Sequence, residues 1–187
     1  MNYSFPLQNT LETALVFDDE QIASIIIDEN NNPDDNFAFG NAPSTLADIT
    51  LIDPESVIVF ENEIIKPYIG LEYEDTIEYI PMGTFLVDKV KKTTHTVTLN
   101  CFDQMVKLEQ TYFSDLLNPV SLNAMAQEIA QKAGVTLVTT LPTTSVKNLE
   151  GFTLREAIAI IAAYMGGVAY FNRDGALEIG LYRDTGV

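Results

Sequence analysis

The chain has 187 residues, 47% hydrophobic and 20% charged, which supports a buried core, excludes a wholly disordered polypeptide, and allows one sizeable domain or two small ones. Twenty-seven acids against ten bases give a net charge of −17, a field that repels phosphate backbones and argues against specific nucleic-acid binding. No apolar run is long and unbroken enough to span a bilayer, no basic start leads into an apolar leader, and one cysteine rules out an internal disulfide, so a reducing cytoplasm is the expected place of synthesis.

Residues 1–20 carry weak signals. DENNNPDDN, at 28–36, reads as a solvated loop: its Asn and Asp favour turns, and Pro33 interrupts pairing. A calcium loop fails there, because Pro33 stands where the pattern needs glycine and Phe39 where it needs glutamate. From Phe37 to Leu108 short β-branched and aromatic runs recur between Gly, Pro and Asp: LADITLI, SVIVF, EIIKPYIGLEY, TIEYI, GTFLVDKV and THTVTLNC. In the last of these Val97, Leu99 and Cys101 alternate with Thr96, Thr98 and Asn100, and KKTT before it predicts a tight antiparallel connection. Pro67 within EIIKPYIGLEY suits an edge strand, a candidate for contact with neighbouring chains or simply an edge covered by its own domain. Phe102, Met105, Val106 and Leu108 then follow near-helical spacing, predicting a closing helical turn.

After Asn118-Pro119 the pattern changes. Ser121 caps a predicted helix whose Leu122, Met125, Ile129 and Ala133 form one stripe, with Gly134 as its stop. VTLV reads as a short strand. Thr153 and Glu156 form a capping box ahead of LREAIAIIAAYM, which Gly166-Gly167 ends. GVAYF and ALEIGLY flank the turn NRDG. The expected fold is therefore α+β: a small antiparallel β-barrel or sandwich domain over 1–115, then a small α-β-α-β-β domain over 116–187.

His95 and Cys101, the one histidine and the one cysteine, invite reading as a nucleophile and base pair. Six residues apart on one strand, they would stand roughly 20 Å from each other, against the ~3 Å such chemistry needs. Cys101 reads as a small buried hydrophobe and His95 as a part-exposed turn residue. One histidine excludes zinc sites built from several His or Cys ligands, and no GxGxxG or GxxxxGK[ST] phosphate loop occurs. Carboxylates are numerous enough that some pair must fall at glycosidase spacing, so proximity alone carries little information, and no tryptophan supplies a sugar platform. No catalytic, cofactor-binding or metal-binding residue is assigned.

The quoted strings, in order, resemble one family. FAFGNAPSTLADITL is similar to its glycine-then-strand entry and IIKPYIG to its exposed middle strand. IPMGTFLVDKVKKTTHTVTLNCFDQMVKLEQTY is similar to its G-x-F-x-V-D … L-x-C-x-D-x-M-x-x-L passage, carried here by Gly83, Phe85, Val87, Asp88, Leu99, Cys101, Asp103, Met105 and Leu108. SLNAMAQEIAQKAGV and GFTLREAIAIIAAYMGGVAYFNRDGALEI are similar to the helix–strand and helix–hairpin module that follows. The family is that of the baseplate-hub, or tail-associated structural, proteins of long-tailed phages and prophages, especially those of Gram-positive hosts; the resemblance covers about three-quarters of the chain.

That resemblance implies a non-enzymatic part of the virion tail, made in the bacterial host cytoplasm. It implies a homo-oligomer, usually a trimeric ring, docked to the distal tail protein, the tape measure and the tip proteins, with no cofactor, membrane or specific nucleic acid. Some members carry a C-terminal peptidoglycan-cleaving or host-binding region. LYRDTGV stops just after a strand, so the expectation here is a shortened chain without one. The acidity then has two readings, plain solubility or a lumen past which DNA slides without adhering. Two other functions stay open: a tail-associated cell-wall hydrolase fragment using carboxylates, and a carbohydrate- or surface-binding β module.

Overall fold

The structure, a computed structural model, describes residues 3–8, 15–29, 39–52, 59–74 and 76–181. The expected loop residues 30–36, the entry residues Phe37 and Ala38, Ser56–Ile58 of SVIVF and the closing residues 182–187 lie outside them. The architecture is α+β, as expected, and its residues gather into two compact units.

The first unit holds β1 (Tyr3–Gln8), β2 (Leu15–Phe17), β3 (Ile22–Asp28), β4 (Leu46–Ile52), β5 (Ile64–Ile65), β6 (Tyr68–Tyr73), β7 (Thr76–Pro81), β8 (Phe85–Lys92) and β9 (Thr96–Asp103). They pair in the order β3-β4-β9-β8-β5-β1-β6-β7, with β2 on β1, all antiparallel, and five strands make a curled half-barrel sheet. Strict alternation drives this. Along β9, Val97, Leu99, Cys101 and Asp103 are buried while the residues between them are part-exposed. One-residue register slips would turn the apolar set to water, so β4 and β9 are held as Ile49↔Leu99 and Ala47↔Cys101. On the outer face the Thr50 and Thr98 hydroxyls lie 3.1 Å apart, and the Asn100 amide donates to Asp48. The inner face packs Ile49, Leu51, Leu99, Phe85 and Val87 with Phe17 and Phe60, whose ring centroids are 6.2 Å apart. Burying each such side chain contributes about 1.5–3 kcal/mol before entropy is counted.

Two expectations are corrected here. Pro67 does not mark the sheet's edge: it sits in the break between β5 and β6, and β6 is flanked by β1 and β7. Strands β1 and β2 fall in the weakly patterned first 20 residues, and β3 was not predicted because Ile25-Ile26-Ile27 breaks the two-residue period.

The second unit takes in residues 39–44 and 104–172 and the strand that follows the hairpin turn. The expected helical turn is a short 3-10 helix, Gln104–Leu108, which buries Met105 and Leu108 while Val106 stays exposed. Next come β10 (Val120–Ser121), α1 (Leu122–Ala133), β11 (Ser145–Val146), α2 (Leu154–Met165), β12 (Gly167–Phe171) and β13 (Leu177–Leu181). The predicted caps are present. Ser121 accepts from the Ala124 N–H, the Thr153–Glu156 box closes in both directions, and Gly134 and Gly166 end their helices in the left-handed region. VTLV is not a strand: only Leu137 bridges to Leu177. The strand between the helices is instead β11, paired with β10.

Gly40 makes a close approach in this unit. Its φ is +78°, and a Cβ placed on it would fall 2.4 Å from the Ala163 Cβ and 2.7 Å from the Ala159 carbonyl oxygen. The Gly40 N–H donates to the Gly167 carbonyl, and the Ala169 N–H donates to that of Asn41, so residues 39–41 lie along β12.

Candidate functional site

His95 and Cys101 are not brought together. His95 is exposed in the turn between β8 and β9, whereas Cys101 is buried between Ala47 and Val87. Burial, with the neighbouring Asp48 and Asp88 charges adding to it, pushes the Cys101 thiol up to about 12. A thiol held protonated at neutral pH is a poor nucleophile.

A polar cluster that the sequence reading missed surrounds Glu128 on α1. Its Oε2 accepts from the Tyr112 hydroxyl at 2.5 Å and from Ser114 Oγ at 2.7 Å, while Oε1 accepts from the Asp115 N–H at 2.6 Å. Lys132, one turn on, pairs with Asp115 at 2.7 Å and lies 3.9 Å from Glu128. Burial alone would raise the Glu128 carboxyl, but the donors from Tyr112, Ser114 and the Asp115 backbone outweigh it and hold the group below its ordinary range. Burial first, and then the Glu128 hydrogen bond, push the Tyr112 phenol upward. Both Glu128 oxygens are occupied by donors that fix the chain around them. This is a structural knot rather than an acid–base pair.

A groove of about 590 Å³ runs between residues 138–141 and β13, lined by Val138, Thr140, Leu141, Met165, Glu178 and Leu181 among others. Glu178 is the single ionisable side chain on it, and Asn172 and Tyr170 already engage it. Among the described residues no three His, Cys, Asp or Glu side chains gather as a metal-ligand set.

One exposed apolar feature is the end of the β6–β7 hairpin. Strand β1 meets β6 only at Tyr68 and Ile69, so Gly70–Tyr73 is paired among the described residues with β7 alone. Every described residue from 71 to 79 is exposed, including Leu71, Ile77, Tyr79 and Tyr73, the last at 72%. The register puts Leu71, Tyr73 and Glu78 on one face and Glu72, Ile77 and Tyr79 on the other. The arm is thus apolar, aromatic and acidic on both sides, and β7 ends the sheet. Alternation of Tyr, Ile and Leu with Glu on both strands was the readable signal; that neither face has a core to meet was not.

A second surface mixes lysines with Asp48 and Asp88. An extra residue between Val87 and Lys89 shifts the β8 register, placing Lys89 opposite Asn100 and Lys91 opposite Thr98 on the outer face. With Lys92, this short segment holds three of the ten basic residues of a chain at −17.

Comparison with solved structures then gives the fold a context. The chain is similar to the crystal structure of the prophage MuSo2 43 kDa tail protein from Shewanella oneidensis, with a TM-score of 0.62 and 14% identity over 98% of this chain and 56% of that one. It is also similar to the tail protein from Neisseria meningitidis MC58, with a TM-score of 0.59 and 14% identity over 96% of this chain and 51% of that one. The chain spans about half the length of both tail proteins. No protein-family model matches the sequence. No curated protein matches it either. Its structural neighbours are phage and prophage tail proteins, and at this identity the likeness is one of fold. No helix among the described residues is long and apolar enough to cross a membrane.

Proposed function

We propose that this chain is a structural component of a phage or prophage tail tip, of the baseplate-hub kind, acting by self-association and by docking to the distal tail protein, the tape measure and tip proteins. It would work without catalysis, in the virion tail, after synthesis in the host cytoplasm. The observation that supports this most is an architecture shared over 98% of the chain with a prophage tail protein. The arrangement of ionisable groups agrees with it: Cys101, Glu128 and Glu178 are each masked or already hydrogen-bonded. In this reading the β-rich unit is the hub-like domain and the unit with the two helices the small α/β domain, the pair expected from the sequence over 1–115 and 116–187. A trimer would triple the −17 charge, and acids facing the lumen would let DNA pass without the phosphate contacts that drive non-specific binding. Acids confined to the outside of the ring would leave them a role in solubility alone.

Gold-labelled antibody against the chain, applied to purified particles of the parent phage, tests the assignment. Label at the tail end distal to the head is expected. Particles lacking the chain, or a purified chain that degrades peptidoglycan and loses that activity on one Asp or Glu substitution, would overturn it.

A further inference from the structure

We propose that the outer edge of β7 receives an extended strand of a different chain, one that alternates basic and apolar residues; this deepens the assembly reading above and rests on it. The edge has open backbone groups. The Met82 N–H donates to the Pro67 carbonyl, and antiparallel ladders alternate bonded with unbonded pairs, so Ile77 and Tyr79 turn their N–H and C=O groups away from β6. Among the described residues β7 ends the sheet, and no hydrogen bond reaches those groups. Such a row of unpaired groups is a template for another strand. Pro81, next in the same outward series, has no N–H and closes the edge beyond Tyr79.

The side chains along this edge set the chemistry of the guest. Ile77 and Tyr79 stand together on one face of β7 and Glu78 on the other, all three exposed. A strand laid beside them places alternate side chains on the two faces, apolar ones against Ile77 and Tyr79 and basic ones against Glu78. Glu72 and Glu74 add charge of the same sign, and no basic residue lies between Lys66 and Lys89. A second copy does not meet this pattern. Its β7 brings another Glu78, and its β3, at the other end of the sheet, has no base and closes on Asp28. The lysines of β8 are interleaved with Asp88 and Asp48, and Lys89 lies 3.8 Å from Asp88. With the whole chain at −17, the charge complement belongs to a different molecule. Main-chain hydrogen bonds then supply affinity, and alternate side chains supply specificity.

The probe is a synthetic octapeptide of alternating lysine and valine, titrated to about 1 mM into the isotope-labelled chain at physiological salt, with amide shifts followed by NMR. Binding is expected, with the largest shifts at Ile77, Glu78 and Tyr79. It should be about tenfold tighter than for a peptide of the same composition with its lysines in one block. Glu78→Lys should weaken binding of the Lys-Val peptide about tenfold and favour a Glu-Val counterpart instead. Ile77→Pro removes an outward N–H while sparing the β6–β7 ladder, and should weaken binding as much. Circular dichroism checks that both variants fold, and Glu78→Gln provides a milder change. Shifts spread over the acidic surface, equal binding of the block peptide, or binding that Ile77→Pro leaves unchanged would reduce the effect to general charge attraction and overturn the strand addition. No binding of the alternating peptide overturns it as well. Association of the native chain alone that Glu78→Lys weakens would make a second copy the occupant and overturn the choice of a different chain. All of these outcomes leave the tail assignment standing, since the antibody label decides that separately.

Discussion

The Tyr112 hydroxyl donates to the Glu128 carboxylate at 2.5 Å, tying the segment before α1 to the buried side of that helix. Three donors converge on this one carboxylate, so its loss leaves the buried Tyr112 hydroxyl and the part-buried Ser114 and Asp115 donors without it. Glu128→Ala is expected to cost about 3–5 kcal/mol, combining lost packing with unpaired donors, and Tyr112→Phe about 1.5–3 kcal/mol. Urea titration of each variant measures this; a loss below about 0.5 kcal/mol for both would show the cluster to be incidental.

The same group makes a pH prediction. The folded carboxyl of Glu128 lies below its ordinary value of 4.5, so its contribution is fully present above that value and is lost as pH falls through the lower folded one. Native and Glu128→Gln chains should therefore differ most near neutrality, and the gap should narrow below about pH 4.5. Denaturant midpoints across this range check the sign, and a gap that widens on acidification would contradict it.

Gly40 has no room for a side chain. With φ at +78° and the Ala163 Cβ 2.4 Å from where its own would be, Gly40→Ala combines left-handed strain of roughly 1–2 kcal/mol with overpacking of about 1–3 kcal/mol. Ala163→Gly in the same chain should return part of the loss, offset by about 1 kcal/mol for a helical glycine. Thermal melts of the single and double variants distinguish this from a general fault in the segment.

Cys101 should resist labelling. Burial and two nearby carboxylates keep the thiol protonated, so a thiol reagent at pH 8 is expected to react with the folded chain far more slowly than with the chain in denaturant. His95→Ala, in an exposed turn, should change stability by no more than about 0.5 kcal/mol. Fast native labelling would mean that β9 opens readily at Cys101.

Much of the fold was readable because local chemistry and tertiary packing agree. Val97, Leu99 and Cys101 alternate in sequence and are buried together, and Thr153 with Glu156 announces α2 before any packing is considered. Misreadings arose where they disagree. VTLV has strand-like composition, but its backbone makes a single isolated bridge to Leu177, through the Thr136 carbonyl and the Val138 N–H, while the real pair, β10 with β11, is two residues long and has no period to detect. Glu128, between Gln127 and Ile129, reads as a solvent-facing acid; the Tyr112 that buries it lies 16 residues upstream. The arm was singled out only through Pro67 in EIIKPYIGLEY, and its exposure on both faces escaped for the opposite reason. Nothing local to TIEYI says that the strand has no layer on either side, since exposure is decided by which neighbours stop short.

That gap gives the last prediction. If the arm's apolar side chains serve contact between chains, they should be nearly dispensable for the fold that displays them. Replacing Leu71, Tyr73, Ile77 or Tyr79 singly with Thr keeps β propensity, and each is expected to change the unfolding free energy by no more than about 0.5 kcal/mol. A core position of the same sheet supplies the contrast: Leu99 is wholly buried, and Leu99→Ala should cost about 2–5 kcal/mol. Were Tyr73→Thr or Tyr79→Thr to approach the Leu99 figure, the arm would be packed within its own chain, and its apolar character would need no second molecule to explain it.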